Sequence, residues 1–508
     1  MRWFGNILIR AICIINFLAF KCEAQEVYHE AYRPQVHFSP KEKWTNDPNG
    51  MVYYKGIYHL FFQYYPDSTV WGPMHWGHAT SKDLIHWRQE PIALFPDSLG
   101  YIFSGSAVID YNNTSGFGKN GVAPLVAIFT HHDPKGESSN RNDFQNQSLA
   151  YSLDNGKSWT KYSGNPVLAS PGIKDFRDPK VMWYAPARKW IMTLATKDRI
   201  TFFSSPDLKH WKKESEFGKD AGAHGGVWEC PDLFSLEYKG KKVWVLIVNL
   251  NPGGPNKGSA TQYFLGDFDG NKFTTNNTET KWLDYGPDEY AGITWSNTGN
   301  RKIFLGWMSN WLYANVVPTV RWRNAMTIPR ELHLKQVGKE MFVTSQPVRE
   351  LNLISSKVTT TLADLNISHT LDLSTKTGII KFPCMLKLSV KKIKDFALVL
   401  SNNANEKLII GYDKKLNQYF IDRTSSGKVD FQKEFAARHS APRFTNNPNM
   451  DISIILDESS VELFADDGLT VMTEIFFPDE PYRQINIEAG NGIVFNKLEY
   501  IALKSIWP

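Results

Sequence analysis

A phrase that recurs three times sets the strongest limit on how this chain can fold. Ser81-Lys-Asp83-Leu-Ile-His86-Trp87 returns as Ser205-Pro-Asp207-Leu-Lys-His210-Trp211, and more loosely as Ser152-Leu-Asp154-Asn-Gly156-Lys-Ser-Trp159. Each copy sets a Trp four or five residues after an Asp-led turn. It reads as a hairpin whose Asp caps the turn and whose Trp plugs into the neighbouring sheet. A supersecondary unit repeated in this way stacks radially or linearly. The Asp-to-Asp spacings, 71 and 53 residues, bracket the length of a four-stranded propeller blade. Roughly 300 residues of such text hold five or six blades.

The surrounding sequence is all-β in texture. From residue 32 to about residue 332, runs of four to seven apolar or aromatic residues alternate with Gly, Pro, Asn or Asp, as at 51–54, 57–63, 243–249 and 302–308. No long helical period interrupts them. Residues 342–355 read as a linker with a short helix over 348–353. Beyond it the strands alternate cleanly, as at 386–391, 408–412, 419–422 and 452–456, with one wet and one buried face. The expected division is a propeller over 32–340, a linker over 341–358 and a β-sandwich over 359–508.

Composition narrows the function classes. Net charge is +5, from 57 basic and 52 acidic residues, and part of it sits in the first 24 residues. That balance is too weak and scattered for a nucleic-acid partner or a membrane surface. Arg2, then a mostly apolar run over 7–20 and small Ala24, read as an export signal over 1–24, so the protein is expected to be secreted, extracellular or periplasmic. No other stretch is long enough for a membrane span. Of four cysteines, Cys13 and Cys22 fall in that signal, and Cys230 and Cys384 make no disulfide framework. Asn-x-Ser/Thr sites occur at Asn112, Asn113, Asn146, Asn276 and Asn366. No zinc-ligand spacing, P-loop, dinucleotide fingerprint or Gly-x-Ser-x-Gly elbow is present, and His131-His132-Asp133 lacks further ligands, so no metal or cofactor is expected.

Three acidic stretches carry the chemistry: residues 44–50 (WTNDPNG), 176–179 (FRDP) and 228–234 (WECPDLF). Two carboxylates flanking one bond are the minimum machinery for cleaving a glycosidic linkage. Asp47 sits in a Pro/Asn-Gly turn before a strand, a rigid mount for a nucleophile, although the same residues also make an ordinary turn. Glu229, between Trp228 and Cys230-Pro231, is a candidate general acid in an aromatic setting, or else a structural Glu on a backbone amide. Asp178 follows Arg177, which is expected to hold it ionised so that it stabilises positive charge at the anomeric centre; a surface ion pair is the plain alternative.

Together with residues 61–66 (FFQYYP), 71–76 (WGPMHW), 103–107 (FSGSA), 251–270, 284–288 (DYGPD) and 328–332 (IPREL), these motifs resemble glycoside hydrolase family 32, the invertases, inulinases and levanases. The resemblance spans nearly the whole chain after the signal. It implies a five-bladed β-propeller followed by a C-terminal β-sandwich, with Asp47 as nucleophile, Glu229 as acid/base and Asp178 as transition-state stabiliser. It implies a fructose-binding shell of Asn46, Gln63, Trp71, Phe103, Ser104 and Arg177, with Trp311 as an aromatic wall. The implied reaction is retaining hydrolysis of terminal β-fructofuranosyl bonds, by a monomer or weak homo-oligomer whose partner is a fructan or sucrose. Thr45 stands where the family often has Met. Glu289 stands where related fructanases often have an aromatic residue, and is expected to alter the pocket rim. An endo-acting enzyme, a fructosyltransferase, a non-catalytic fructan-binding propeller, and an inverting or sialidase-type propeller are the alternatives. The β-2,1 or β-2,6 preference and the role of the sandwich are not written in the sequence.

Overall fold

The computed structural model describes residues 27–378 and 380–508; the expected export signal over 1–24 lies outside the described residues. Five sheets of four or five strands follow one another between Lys43 and Pro347. Their first strands are Lys43–Tyr54, Tyr101–Ile109, Phe176–Tyr184, Val227–Tyr238 and Tyr290–Thr294. Each first strand packs on the first strand of the next sheet, and the fifth returns to the first. The ring is sealed by late residues: Trp322–Arg323 pairs in parallel with Lys43 and Trp44, and Tyr53 N donates to Ser296 O at 3.0 Å. This is a propeller.

The repeated phrase is the device that joins the sheets. Each copy lies at the end of the third strand of its sheet. Asp83 Oδ1 accepts from Ile85 N at 3.0 Å and His86 N at 2.8 Å, and Asp207 and Asp154 cap their turns likewise. The residue after each Asp is left-handed: Leu84, Asn155 and Leu208 have φ of 69°, 62° and 67°. The Trp side chains then reach the preceding sheet. Trp159 meets Phe61 edge-on at 5.4 Å, Trp87 stacks on Trp295 at 6.1 Å, and Trp211 packs into the cluster of Val108, Val126 and Ile128.

The expected linker is shorter than its composition suggests. Residues 341–347 belong to the strand Glu340–Pro347, the outer strand of the fifth sheet, which pairs with Arg330–Val337 from Val337↔Glu340 to Arg330↔Pro347. The polar residues that read as linker occupy an edge strand. The short helix is the 3-10 turn Arg349–Ile354, and strand structure resumes at Ser355 rather than 359. Two six-stranded antiparallel sheets complete the chain as a sandwich.

The two domains share a buried charged seam. His37, just ahead of the first strand, meets Asp457 Oδ2 at 2.7 Å and Glu462 Oε1 at 2.8 Å, both from the sandwich. Arg330 bridges Glu462 and Asp284. Asp288 accepts from Arg423 Nη1 at 2.6 Å and from Ile475 N at 2.9 Å. The acids of the DYGPD motif thus fasten the domains together, and neither lines the funnel described below.

Candidate active site

Every first strand breaks register at the same level of the ring. The shifts fall between Thr45 and Pro48, Ile102 and Gly105, Arg177 and Lys180, Glu229 and Asp232, and Tyr290 and Ile293. Bulges re-aim side chains at barrel and propeller rims. Here they turn Asp47, Ser104, Asp178 and Glu229 toward the axis. Pro48, Pro179 and Pro231 occupy three of the breaks, where no ladder donor is needed. Asp178, Cys230 and Ala291 are left-handed, with φ of 64°, 40° and 54°. The Asn46–Gly50 segment is therefore a kink inside the strand Lys43–Tyr54 rather than a separate turn. Gly50 is required there: its φ is 56°, and a Cβ would meet Trp76 at 2.6 Å and Phe61 at 2.8 Å.

All ten residues singled out in the sequence line one cavity of about 240 Å³: Asn46, Asp47, Gln63, Trp71, Phe103, Ser104, Arg177, Asp178, Glu229 and Trp311. Asp47 is oriented from three sides. Asn46 Nδ2 donates to Oδ1 at 2.9 Å, Ser104 Oγ donates to Oδ2 at 2.6 Å, and Cys230 Sγ lies 3.4 Å from Oδ2. Asn46 is itself fixed by Trp44 Nε1 at 2.8 Å. Cys230 also serves Asp178, whose Oδ2 accepts from Cys230 N at 3.0 Å and lies 3.7 Å from its sulfur. Burial, reinforced by Asp178, Asp47 and Glu229, pushes the Cys230 thiol far up, so it stays a donor.

The ion pair expected between Arg177 and Asp178 is present but long, and the shorter contacts of Arg177 lie elsewhere. Its guanidinium lies 3.9 Å from Asp178 but donates to Glu229 Oε1 at 2.9 Å and 3.2 Å, and to Asp175 Oδ1 at 2.6 Å. A fork of fixed geometry serves the carboxylates that lie in its plane, and those are Glu229 and Asp175. Burial, with the charges of Glu229 and Asp47 added, pushes Asp178 up to about 7 against the pull of Arg177.

The aromatic neighbour of Glu229 is not the adjacent Trp228. Trp228 alternates to the opposite side of its strand, is fully buried, and donates from Nε1 to Ala223 O at 3.0 Å. What faces Glu229 instead is Tyr290, whose hydroxyl bonds Oε2. Burial drives that phenol well above its usual range.

Aromatic rings build the upper walls. Phe103 stacks on His132 at 4.2 Å, Trp71 meets Phe103 edge-on and is 39% exposed, and Trp311 rests 4.9 Å from Trp307. Gln63 is buried, and its Nε2 has no hydrogen-bond partner, so a donor waits at the floor. Sequence reasoning missed Tyr290, His132, Glu137, Gln145 and Asp175. Only His132 carried a signal, the His-His-Asp run, and that was weighed only as a metal site. Glu289 is not at the rim. It is buried against Gly292 and Gly306, both carboxylate oxygens unpaired, and burial pushes it up to about 8. It lies just ahead of the strand Tyr290–Thr294 and does not line the funnel.

The N-terminal domain of glycosyl hydrolases family 32 matches residues 37–346, and the C-terminal domain of that family matches residues 348–504. The chain belongs to glycosyl hydrolase family 32. Among its relatives, the levanase of Bacillus subtilis (strain 168) is 46% identical over 96% of this chain and 73% of its own. The crystal structure of exo-inulinase from Aspergillus awamori superposes with a TM-score of 0.86 at 38% identity, covering 94% of this chain and 100% of that one. A β-fructofuranosidase from Schwanniomyces occidentalis, complexed with fructosyl-erythritol, gives 0.86 at 31% identity over 94% and 99%. Thr45, the departure from the family's usual Met, is buried, and its hydroxyl donates to Gln63 O at 3.1 Å. Membership makes the chain a glycoside hydrolase, and the carboxylate-lined cavity is its candidate active site.

Proposed function

We propose that this protein is a retaining exo-glycosidase that releases terminal non-reducing β-D-fructofuranosyl residues from levan or inulin, and fructose from sucrose. The observation that carries the reading is the blind end of the funnel. Asp47, Asp178 and Glu229, from three different first strands, line one cavity of about 240 Å³, and two residues beyond Asp178, Lys180 pairs with Asp232 at 3.0 Å. A chain end enters such a pocket; the middle of a polymer does not. The levanase, exo-inulinase and β-fructofuranosidase relatives support the substrate class. We read the five sheets as the five blades of one propeller, and the protein as secreted, which its N-terminal sequence and the extracellular exo-inulinase relatives support.

In the first step Glu229 gives its proton to the glycosidic oxygen while Asp47 attacks the anomeric carbon. The C–O bond breaks and a fructosyl ester forms. In the second, Glu229 takes a proton from water, the water oxygen bonds to the same carbon, and the Asp47 carboxylate leaves. Arg177 holds Oε1 of Glu229 and leaves Oε2 to Tyr290. Asp178 opposes the positive charge at the anomeric centre. Its elevated position near 7 owes part to the charge of Asp47. Gln63 and Ser104 offer hydrogen bonds to ring hydroxyls, and Trp71, Phe103 and Trp311 pack the sugar's apolar edges.

Chromatography of early products from sucrose, inulin and levan tests the reading. Fructose is the sole early fructan product expected; fructo-oligosaccharides from either polymer would overturn the exo assignment. Tyr290→Phe tests the support of the acid/base. Removing a buried hydrogen bond to a carboxylate lowers kcat by about 10-fold or more, with the KM for sucrose nearly unchanged. A change confined to KM would detach Tyr290 from the chemistry.

A further inference from the structure

The first strands that carry the acids also carry a second polar layer beneath them. Two residues after Asp178, Cys230 and Gly292 come Lys180, Asp232 and Thr294. Lys180 Nζ donates to Asp232 Oδ2 at 3.0 Å, and Thr294 N and Oγ1 donate to the same oxygen at 2.6 Å and 2.7 Å. This plug closes the axial channel. On its far side lies a cavity of about 580 Å³, lined by the trailing ends of the first strands of the second to fifth sheets, and so opening away from the catalytic mouth.

The walls of this cavity are aromatic. Trp183, Trp244 and Tyr184 are half-buried, with Tyr184 and Trp244 centred 6.2 Å apart, and Tyr111 stands 63% exposed at the edge. Its inner end is polar. Asp232 is fully buried among the lining residues, and its Oδ1 has no hydrogen-bond partner. Lys302 Nζ makes one long bond, to Gly299 O at 3.4 Å, and burial pushes its ammonium down. Ring faces accept the C–H faces of a sugar, while an unpaired carboxylate oxygen and an under-satisfied ammonium serve its hydroxyls. The carboxylate at the inner end opposes an anion, and Lys180 is already committed to it. The fitting occupant is a neutral polyhydroxylated chain.

We propose that this cavity is a second carbohydrate site that binds a fructan segment and tethers the enzyme to polymer. The identity of the sugar rests on the fructan reading above; the site itself does not. A chain end in the catalytic cavity cannot thread the plug, so the occupant is a separate chain or a distant segment of a long one. The site therefore acts on polymer and leaves sucrose turnover alone.

Affinity electrophoresis in gels containing levan or inulin, with saturating fructose to fill the catalytic cavity, tests this. The wild type is expected to be retarded by at least one of the two polymers. The double variant Trp183→Ala/Trp244→Ala is expected to lose retention about 10-fold, as the loss of two aromatic anchors implies, with kcat/KM for sucrose unchanged. Tyr111→Ala truncates an exposed ring, so it keeps the test decisive if the double variant misfolds; it is expected to weaken retention about 3-fold. Retention unchanged in both variants, retention abolished by fructose alone, or stronger retention by an anionic polysaccharide would each overturn the proposal. An enzyme that cleaves neither sucrose nor fructans would sink the functional reading instead, and would leave the retention result standing.

Discussion

Asp47→Asn is expected to lower kcat for sucrose by on the order of 10⁴-fold or more, the scale seen when one member of a catalytic unit is removed. The substitution keeps shape and volume, and Asn46, Ser104 and Cys230 remain to hold the side chain in place. An amide cannot form the ester, so both chemical steps fail together. Glu229→Gln should differ in kind. It leaves the nucleophile in place but removes the proton donor, so a fructoside with an acidic leaving group still releases that group in a burst while turnover stalls. Stopped-flow release of such a leaving group, run beside steady-state sucrose hydrolysis, separates the two roles. Near-normal sucrose turnover by Asp47→Asn would remove Asp47 as nucleophile, and a missing burst in Glu229→Gln would remove Glu229 as the first-step acid.

The largest effect on stability is expected at the seam between the domains. Arg330→Met leaves Glu462 and Asp284 buried without their shared cation. Breaking such a pair costs about 3–5 kcal/mol, read as a lowered denaturation midpoint. His37 gives the same seam a pH dependence. Burial alone would push it down, but bonds to Asp457 and Glu462 outweigh burial and raise it from 6.5 to about 9. A folded-state value above the unfolded one stabilises fully below pH 6.5 and is lost as pH rises through 9. Burial raises Glu462, but Arg330 and His37 pull it from 4.5 to about 2, so its contribution is present above 4.5 and lost as pH falls through 2. Unfolding free energy should therefore fall by on the order of 3 kcal/mol between pH 6.5 and 9. His37→Gln should flatten that slope; an unchanged slope would clear His37 of the effect.

What was legible in the sequence was local. The Ser-x-Asp turn with its Trp is written in consecutive residues, because capping and the left-handed position are satisfied within the turn. The three acids were legible because each bulge needs Pro or a left-handed residue next to the acid, which leaves a compact mark. Tyr290, Gln145 and Asp175 left none. Gln145 and Asp175 line the funnel and Tyr290 bonds Glu229, but each is brought there by contacts with residues distant in the sequence. Arg177 was assigned to its sequence neighbour Asp178, yet its reach carries it to Glu229, 52 positions away. The family resemblance puts Glu289 at the rim, but its carboxylate is buried against Gly292 and Gly306. The DYGPD acids serve recognition, and their partners from the sandwich, Arg423 and Thr473, lie more than 130 residues later.

The strand that bears Asp47 is among the first to be made and among the last to be secured. Its near end is gripped by Trp322–Arg323, and the residues just before it are pinned by Asp457 and Glu462. As the chain leaves the ribosome, that strand gains its hairpin partner and then the first strand of the second sheet, but its near end waits for Trp322–Arg323 and the residues ahead of it wait for the sandwich. The ring thus closes on itself through Trp322–Arg323, and the sandwich pins the segment that leads into the strand of the nucleophile.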